Sequence, residues 1–312
     1  MRNVVRGLVF ALLLVPFSRL GAQELLGITS ASGNAAVVRI DPATGGTTVL
    51  VTTDAIGYSG AQMAIDPAGR RVFFQYPNFL YTVDLSTNTW SKVAFADCCV
   101  ALLWDDIGGQ LLGVGNFGGG QTSVARINPA TGAATILVTT DAPGFSGADM
   151  AIDPAGRRIF FQYPNFLYTV NYATNTWSKI AYPYCCVKLM YDVLGGQLLG
   201  LGFFGGSQVG VARIDPATGA SIVFATTDAI GYSAAQAAID PMGRRIFFEY
   251  PNRLYTINLA QSTFSNIAFP SCCLPLLFGA ATPVGSPTLS APALALLLLA
   301  LASCALFALR VR

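Results

Sequence analysis

The sequence contains no histidine. Its absence removes the commonest general base and the commonest metal ligand, and with them Ser-His-Asp and Cys-His sites. Charge is scarce as well: 11% of 312 residues are charged, about half of the roughly 25% usual for soluble domains. With 18 basic and 16 acidic residues the net charge is +2, so there is no basic footprint for nucleic acid and no acidic tail. Helical periodicity is missing between residues 24 and 280. The Gly-rich stretches lack the Gly-Lys-Ser/Thr ending of a phosphate loop, which excludes nucleotide binding of that type. Neither cofactor nor metal is expected.

What is plentiful is apolar residues, 53% of the chain, and much of the excess lies at the two ends. Residues 1–22 read as a signal peptide. Arg2 and Arg6 form a basic start, Gly7 to Val15 an apolar stretch too short to span a bilayer, and Gly21-Ala22 a small-residue cleavage site. At the other end, Ala291 to Leu309 runs without a charge and is closed by Arg310 and Arg312. This is long enough for a single C-terminal transmembrane helix with its basic end in the cytoplasm, placed at 291–312. Just upstream, in a linker of residues 281–290, stands Ser286-Pro287-Thr288-Leu289-Ser290. Motif, apolar run and arginines in that order resemble the IPTL-CTERM sorting signal of Gram-negative bacteria. Pro287, Thr288, Leu289 and Ser290 match its motif, and Ser286 departs from it. The resemblance implies a partner, a sorting protease of the exosortase type, and delivery to the cell surface or an extracellular matrix after transient anchoring in the inner membrane. An ordinary tail anchor is the other reading.

The middle of the chain is one unit written three times. Met63-Ala64-Ile65-Asp66-Pro67-Ala68-Gly69-Arg70-Arg71 recurs at Met150 to Arg158, and with Met242 substituted at Ala237 to Arg245. The turn that begins at Asp41 returns at Asn128 and Asp215, and Cys98-Cys99 returns at Cys185-Cys186 and Cys272-Cys273. Every spacing is 87 residues, and a fixed period is the first thing a fold has to explain. Each unit divides again into two four-stranded modules of about 43 residues, the length of a propeller blade. Short runs rich in Val, Ile, Phe and Tyr alternate with Asp-Pro-Ala-Gly, Tyr-Pro-Asn and Ser-Thr-Asn turns.

Strand counting arranges these modules. Glu24 to Gly27 aligns with the second strand of a blade, and Leu274 to Phe278 with a first strand that has no blade to follow. The orphan fits the vacancy. The expectation is an all-β fold: a six-bladed β-propeller over residues 23–280, closed by a C-terminal innermost strand, which removes the edges of an open array. The Ala-Ile-Asp-Pro-Ala-Gly-Arg-Arg and Leu-Tyr-Thr-Val-Asp-Leu segments resemble the extracytoplasmic propeller repeats of the YVTN, NHL and TolB-like groups. Those motifs encode blade geometry and transmit no function.

Candidate ligand-binding residues come from the face carrying the loops between second and third strands. These are Tyr76 and Asn78, Tyr163 and Asn165, and Tyr250 and Asn252, with Asp54, Asp141 and Asp228 in the links between blades. Aromatic, amide and carboxylate groups around a channel mouth suit a sugar or peptide. The bland reading of Tyr-Pro-Asn is a tight turn. The repeated Asp turns each supply one carboxylate, where calcium needs several converging oxygens, so they read as structural. All six cysteines of the repeats are adjacent pairs. In an oxidising compartment the expectation is three vicinal disulfides, Cys98-Cys99, Cys185-Cys186 and Cys272-Cys273, with free buried thiols or a metal or redox site as alternatives. The functional expectation is a non-catalytic surface or matrix protein that binds a glycan or protein ligand. The competing expectation is an extracytoplasmic propeller enzyme of the lactonase or glycan hydrolase type, with no catalytic residue identified.

Overall fold

The computed structural model describes residues 24–56, 63–97, 100–144, 150–184, 187–230, 237–269 and 275–279. The expected signal peptide, sorting motif and membrane helix, and all three cysteine pairs, lie outside them. Among the described residues no helix is long and apolar enough to cross a membrane; the regular elements are 24 strands.

The strands form six four-stranded antiparallel sheets, named here blades I to VI. Blade I holds β1 (Glu24–Ala31), β2 (Asn34–Ile40) and β3 (Thr47–Ile56). Blade II runs from the inside outward as β4 (Met63–Asp66), β5 (Arg71–Gln75), β6 (Phe79–Asp84) and β7 (Thr89–Ala94). Blade III is β8 (Ala101–Asp105), β9 (Gln110–Asn116), β10 (Gln121–Ile127) and β11 (Ala134–Pro143). Blade IV is β12 (Met150–Asp153), β13 (Arg158–Gln162), β14 (Phe166–Asn171) and β15 (Thr176–Ala181). Blade V is β16 (Lys188–Asp192), β17 (Gln197–Gly202), β18 (Gln208–Ile214) and β19 (Ser221–Ile230). Blade VI is β20 (Ala237–Asp240), β21 (Arg245–Tyr250), β22 (Arg253–Asn258) and β23 (Thr263–Ala268). The last strand, β24 (Leu276–Gly279), returns to blade I and pairs antiparallel with β1, Leu276 opposite Gly27 and Gly279 opposite Glu24. The ring closes as the complementary half-blades require.

Period-two alternation builds the core. Neighbouring strand residues face opposite sides of a blade, so the doublet Phe73-Phe74 fills two interfaces at once. Phe73 packs with Leu102 and Leu111 of blade III, and Phe74 with Leu26 and Val37 of blade I. Phe160-Phe161 and Phe247-Phe248 repeat this, and all six rings are 0% exposed. The apolar side chains fall into six clusters, one for each blade interface.

The interfaces alternate between two kinds. At II/III, IV/V and VI/I an inner-strand aromatic lies flat on a neighbouring ring: Trp104 on Phe73 at 5.6 Å, Tyr191 on Phe160 at 6.1 Å, Phe278 on Phe247 at 5.7 Å. The Asp-Pro-Ala-Thr-Gly turns close these interfaces on the outside. Gly45, with φ of +73°, sits so near the Ala268 carbonyl that a β-carbon would approach it to 2.6 Å. Only glycine meets both demands there.

One boundary departs from the sequence expectation. The outer strands of blades I, III and V run ten residues, to Ile56, Pro143 and Ile230. Asp54, Asp141 and Asp228 therefore belong to these strands and not to the links. The cause is a bulge: pairing of β2 with β3 slips between Ala36↔Thr52 and Asn34↔Ile56, and the Thr53 hydroxyl donates to the Ala35 carbonyl at 2.9 Å. Two extra residues absorbed this way hide from a period-two reading.

Candidate functional site

The six innermost strands enclose a channel of about 270 Å3. Its wall is mostly apolar, with Ile65, Ile152, Ile239 and the three stacked aromatics among the lining residues. Two charged side chains line it. Lys188 opens β16 and is only 8% exposed, where the repeat period places Ala101 and Pro275 in the other units. Asp106 follows β8 at the opposite end, where the period places Val193 and Ala280. At about 3.3 Å per strand residue the two levels stand roughly 17 Å apart. Asp106 is reached by solvent, but partial desolvation against the channel wall pushes its carboxyl up to about 6, and the negative charges of Asp66 and Asp105 add to the shift.

The Asp66 and Asp105 carboxylates rim that same end and are committed to structure. Asp66 accepts from the Gly69 amide at 2.8 Å and from Arg71 at 2.6 Å, as Asp153 does from Gly156 and Arg158. Asp105, 0% exposed, accepts from the Gly108 amide, Gln110 and Arg157 of blade IV at 2.9, 2.8 and 2.9 Å. Despite burial its pKa is lowered, because those hydrogen bonds favour the carboxylate.

The loops chosen from the sequence lie at the Lys188 end of the blades, and their side chains do different work. Tyr76 donates its hydroxyl to the Ile56 carbonyl at 2.5 Å, Tyr250 donates likewise to the Ile230 carbonyl, and Tyr163 packs on the III/IV apolar cluster. Asp54 accepts from the Tyr81 hydroxyl at 3.0 Å and from Lys92 Nζ at 2.6 Å; Asp141 accepts from Tyr168 at 3.1 Å and Lys179 at 2.5 Å. The lysine hydrogen bond is the main reason both carboxyls sit below their ordinary range. Burial, then Asp54, pushes the Tyr81 hydroxyl up to about 12. In the third unit Asp228 bonds Tyr255, and the cation changes strand. Asn266 stands where Lys92 and Lys179 stand, Arg253 replaces Phe79 and Phe166, and Arg253 Nη1 reaches Asn266 at 2.5 Å.

The structure thus gathers the Asp and Tyr residues into latches across I/II, III/IV and V/VI, at the outer strands and not at the channel. Asn78, Asn165 and Asn252 are left exposed on the loops, and their side chains make no hydrogen bond among the described residues. Near the cysteine frame, Gln75 accepts from the Val100 amide at 3.0 Å and donates to the Asp97 carbonyl at 2.5 Å. It braces the chain on both sides of positions 98 and 99. Gln162 repeats the second contact at the Tyr184 carbonyl, and Glu249 stands in the third unit. Lys188, Asp106 and Tyr191 escaped the sequence reading. Each is a departure from the 87-residue period, legible once the three units are compared at every position.

No protein-family model and no curated protein matches the chain. Solved structures do. TolB from Acinetobacter baumannii is similar with a TM-score of 0.62 at 14% identity, covering 88% of this chain and 70% of that one. A TolB-type protein from Agrobacterium tumefaciens gives 0.58 at 12%, covering 79% and 89%. An oligogalacturonate lyase in complex with manganese gives 0.52 at 15%, covering 79% and 74%. At these identities the likeness is one of fold: the chain shares a β-propeller architecture with these proteins.

Proposed function

We propose that the chain is an exported bacterial propeller that binds a ligand without transforming it. It presents the loop face at the Lys188 end to a surface glycan or protein. The observation that carries this reading is the trio Asn78, Asn165 and Asn252: exposed amides without side-chain hydrogen bonds among the described residues, repeated on one face by a threefold scaffold. Amides that combine donor and acceptor suit hydroxyl-rich or peptide ligands, and three equivalent positions suit a multivalent one. Replacing all three by Ala should weaken binding on a glycan array at least tenfold while lowering the melting temperature by no more than a few degrees, the cost of putting Ala at the left-handed φ of +59° that Asn252 adopts. Undiminished binding by the triple variant sinks the proposal.

The address is part of the same proposal. Residues 1–22 direct export, and residues 286–312 act as an IPTL-CTERM-like signal read by an exosortase-type protease, holding the protein at the cell surface or matrix of a Gram-negative host. Removing residues 286–312 should release folded protein to the medium; retention in the membrane fraction counts against it. The cysteine pairs, expected as vicinal disulfides, would then mature in an oxidising compartment, and alkylation without reduction followed by intact-mass measurement reads their state.

One observation favours a second, enzymatic reading. The Asp106 carboxyl, at about 6, lies in the range suited to a general acid. Lactone or glycan turnover that disappears in Asp106→Asn would establish it in place of the first.

A further inference from the structure

The Asp106 end of the channel is dressed for contact. The turns that leave the innermost strands surround the mouth there, and four of their large apolar side chains stand in the open. Ile107 follows β8, Val193 and Leu194 follow β16, and Met242 follows β20; each is at least half exposed. Pro67, Pro154 and Pro241 line the channel just inside them. Exposed apolar residues scattered singly need no explanation, but several gathered round one opening mark an interaction surface.

Charge at this end is layered. Arg71, Arg158 and Arg245 pair with Asp66, Asp153 and Asp240, and Arg157 and Arg244 with Asp105 and Asp192. In each pair the guanidinium is the outer member, 37–41% exposed against 0–4% for the carboxylate. Asp41, Asp84 and Asp215, in the outer turns, are turned in on backbone amides of their own turns. Asp106 is the acidic residue on the rim itself. The ring also releases its chain here: Gly279 ends β24 opposite Glu24, at the level that Asp105 and Asp192 hold in their units. The residues that follow Gly279 include the charge-free run from Ala291 to Leu309.

We propose that this rim is a membrane-contact face that rests on a bilayer containing anionic lipid. Ile107, Val193, Leu194 and Met242 dip into the interface, and the arginines around them meet the headgroups. Binding of this kind draws on buried apolar area together with attraction to anionic lipid. The inference deepens the membrane address proposed above, but the affinity of the rim for lipid is a property of the propeller. It leaves the Asn78, Asn165 and Asn252 loops, at the other end of the blades, facing away from the lipid.

Fluorescence quenching of the full chain on vesicles of phosphatidylcholine and phosphatidylglycerol tests it, with a nitroxide label high on the acyl chains. Leu194→Trp places a probe on the rim, and Ile230→Trp an equally exposed one at the opposite end, the two residues being 59% and 61% exposed. Relative to the parent, the Leu194→Trp signal should be quenched at least about twofold more than that of Ile230→Trp. A chain that floats with the vesicles but shows equal quenching at the two positions overturns the rim contact and leaves the anchor standing. A second measurement removes the anchor. The ring closes within residues 24–279, so a chain lacking residues 286–312 keeps the whole propeller. It should still float with the anionic vesicles, and Leu194→Asp with Met242→Asp should weaken that binding at least about tenfold. Failure to float, or binding unchanged in the double variant, overturns the proposal. Full and shortened chains that float equally, and only with anionic vesicles, uphold the rim and count against the anchor. A dimer that the double variant disperses, without vesicle binding, overturns the proposal in favour of a second copy on this face.

Discussion

The two kinds of blade interface solve one packing problem by different means. Interfaces II/III, IV/V and VI/I rely on stacked rings and close turn contacts, with Phe73, Phe160 and Phe247 fully buried. Interfaces I/II, III/IV and V/VI add polar latches: Asp54 with Tyr81 and Lys92, and Asp141 with Tyr168 and Lys179, near the surface; Arg157–Asp105 and Arg244–Asp192 deeper in. Alternation of the two explains why the sequence repeats at 87 residues when a blade needs about half as many. The polar kind has one gap. At I/II the position of Asp105 and Asp192 is Gly279, whose place against Ile65 leaves no room for a β-carbon. The strand that closes the ring gives up a carboxylate so that β24 can seat beside β4.

The largest test falls on a stacked interface. Phe247→Ala removes a fully buried ring from VI/I, where no peptide chain other than the returning β24 joins the blades. It should cost about 3–5 kcal/mol and lower the thermal midpoint more than any latch variant. A loss under 1 kcal/mol in chemical denaturation would show that closure does not depend on the Phe247–Phe278 stack.

A smaller effect is expected at II/III, the stacked interface that carries a carboxylate. Asp106 is held at about 6 in the folded protein against the ordinary carboxyl value of 3.8. A folded pKa above the unfolded one means the associated stability is complete below about 3.8 and is lost as pH rises to about 6. Asp106→Asn should therefore be more stable than the parent by about 1 kcal/mol above pH 7, a figure reduced for solvent screening because the side chain is exposed. The difference should vanish near pH 4. Melting curves at the two pH values check the sign.

The smallest effect belongs to the outer latch. Lys92→Met keeps the aliphatic stem over Phe79 and Tyr81 but removes the charge facing Asp54. Surface ion pairs contribute about 0–1 kcal/mol, so the midpoint should fall by no more than a few degrees, and less at high salt. The third unit already manages with Asn266 at this place. A loss as large as that of Phe247→Ala would erase the distinction between the two kinds of interface.

Much of this architecture was open to reading from the residues. The period, the Phe-Phe doublets and the complementary ends at Glu24 and Leu276 suffice for six blades and a closed ring, because strand alternation and the need to cover edges leave few other arrangements. The Asp-Pro-Ala-Gly turns were legible as structural, since a side-chain acceptor, a fixed φ and a glycine are local requirements. Tertiary structure decided the rest. That Asp54 belongs to an outer strand depends on a bulge that no period reveals. That it meets Lys92, 38 positions along the chain, depends on how blade II lies against blade I. That Gln110 reaches both Arg126 and Asp105, at 2.6 and 2.8 Å, depends on contacts between side chains whose sequence neighbours look alike in every unit. Local pattern specifies a blade because its causes are local. A site arises where blades meet, and the partners there are chosen by the ring.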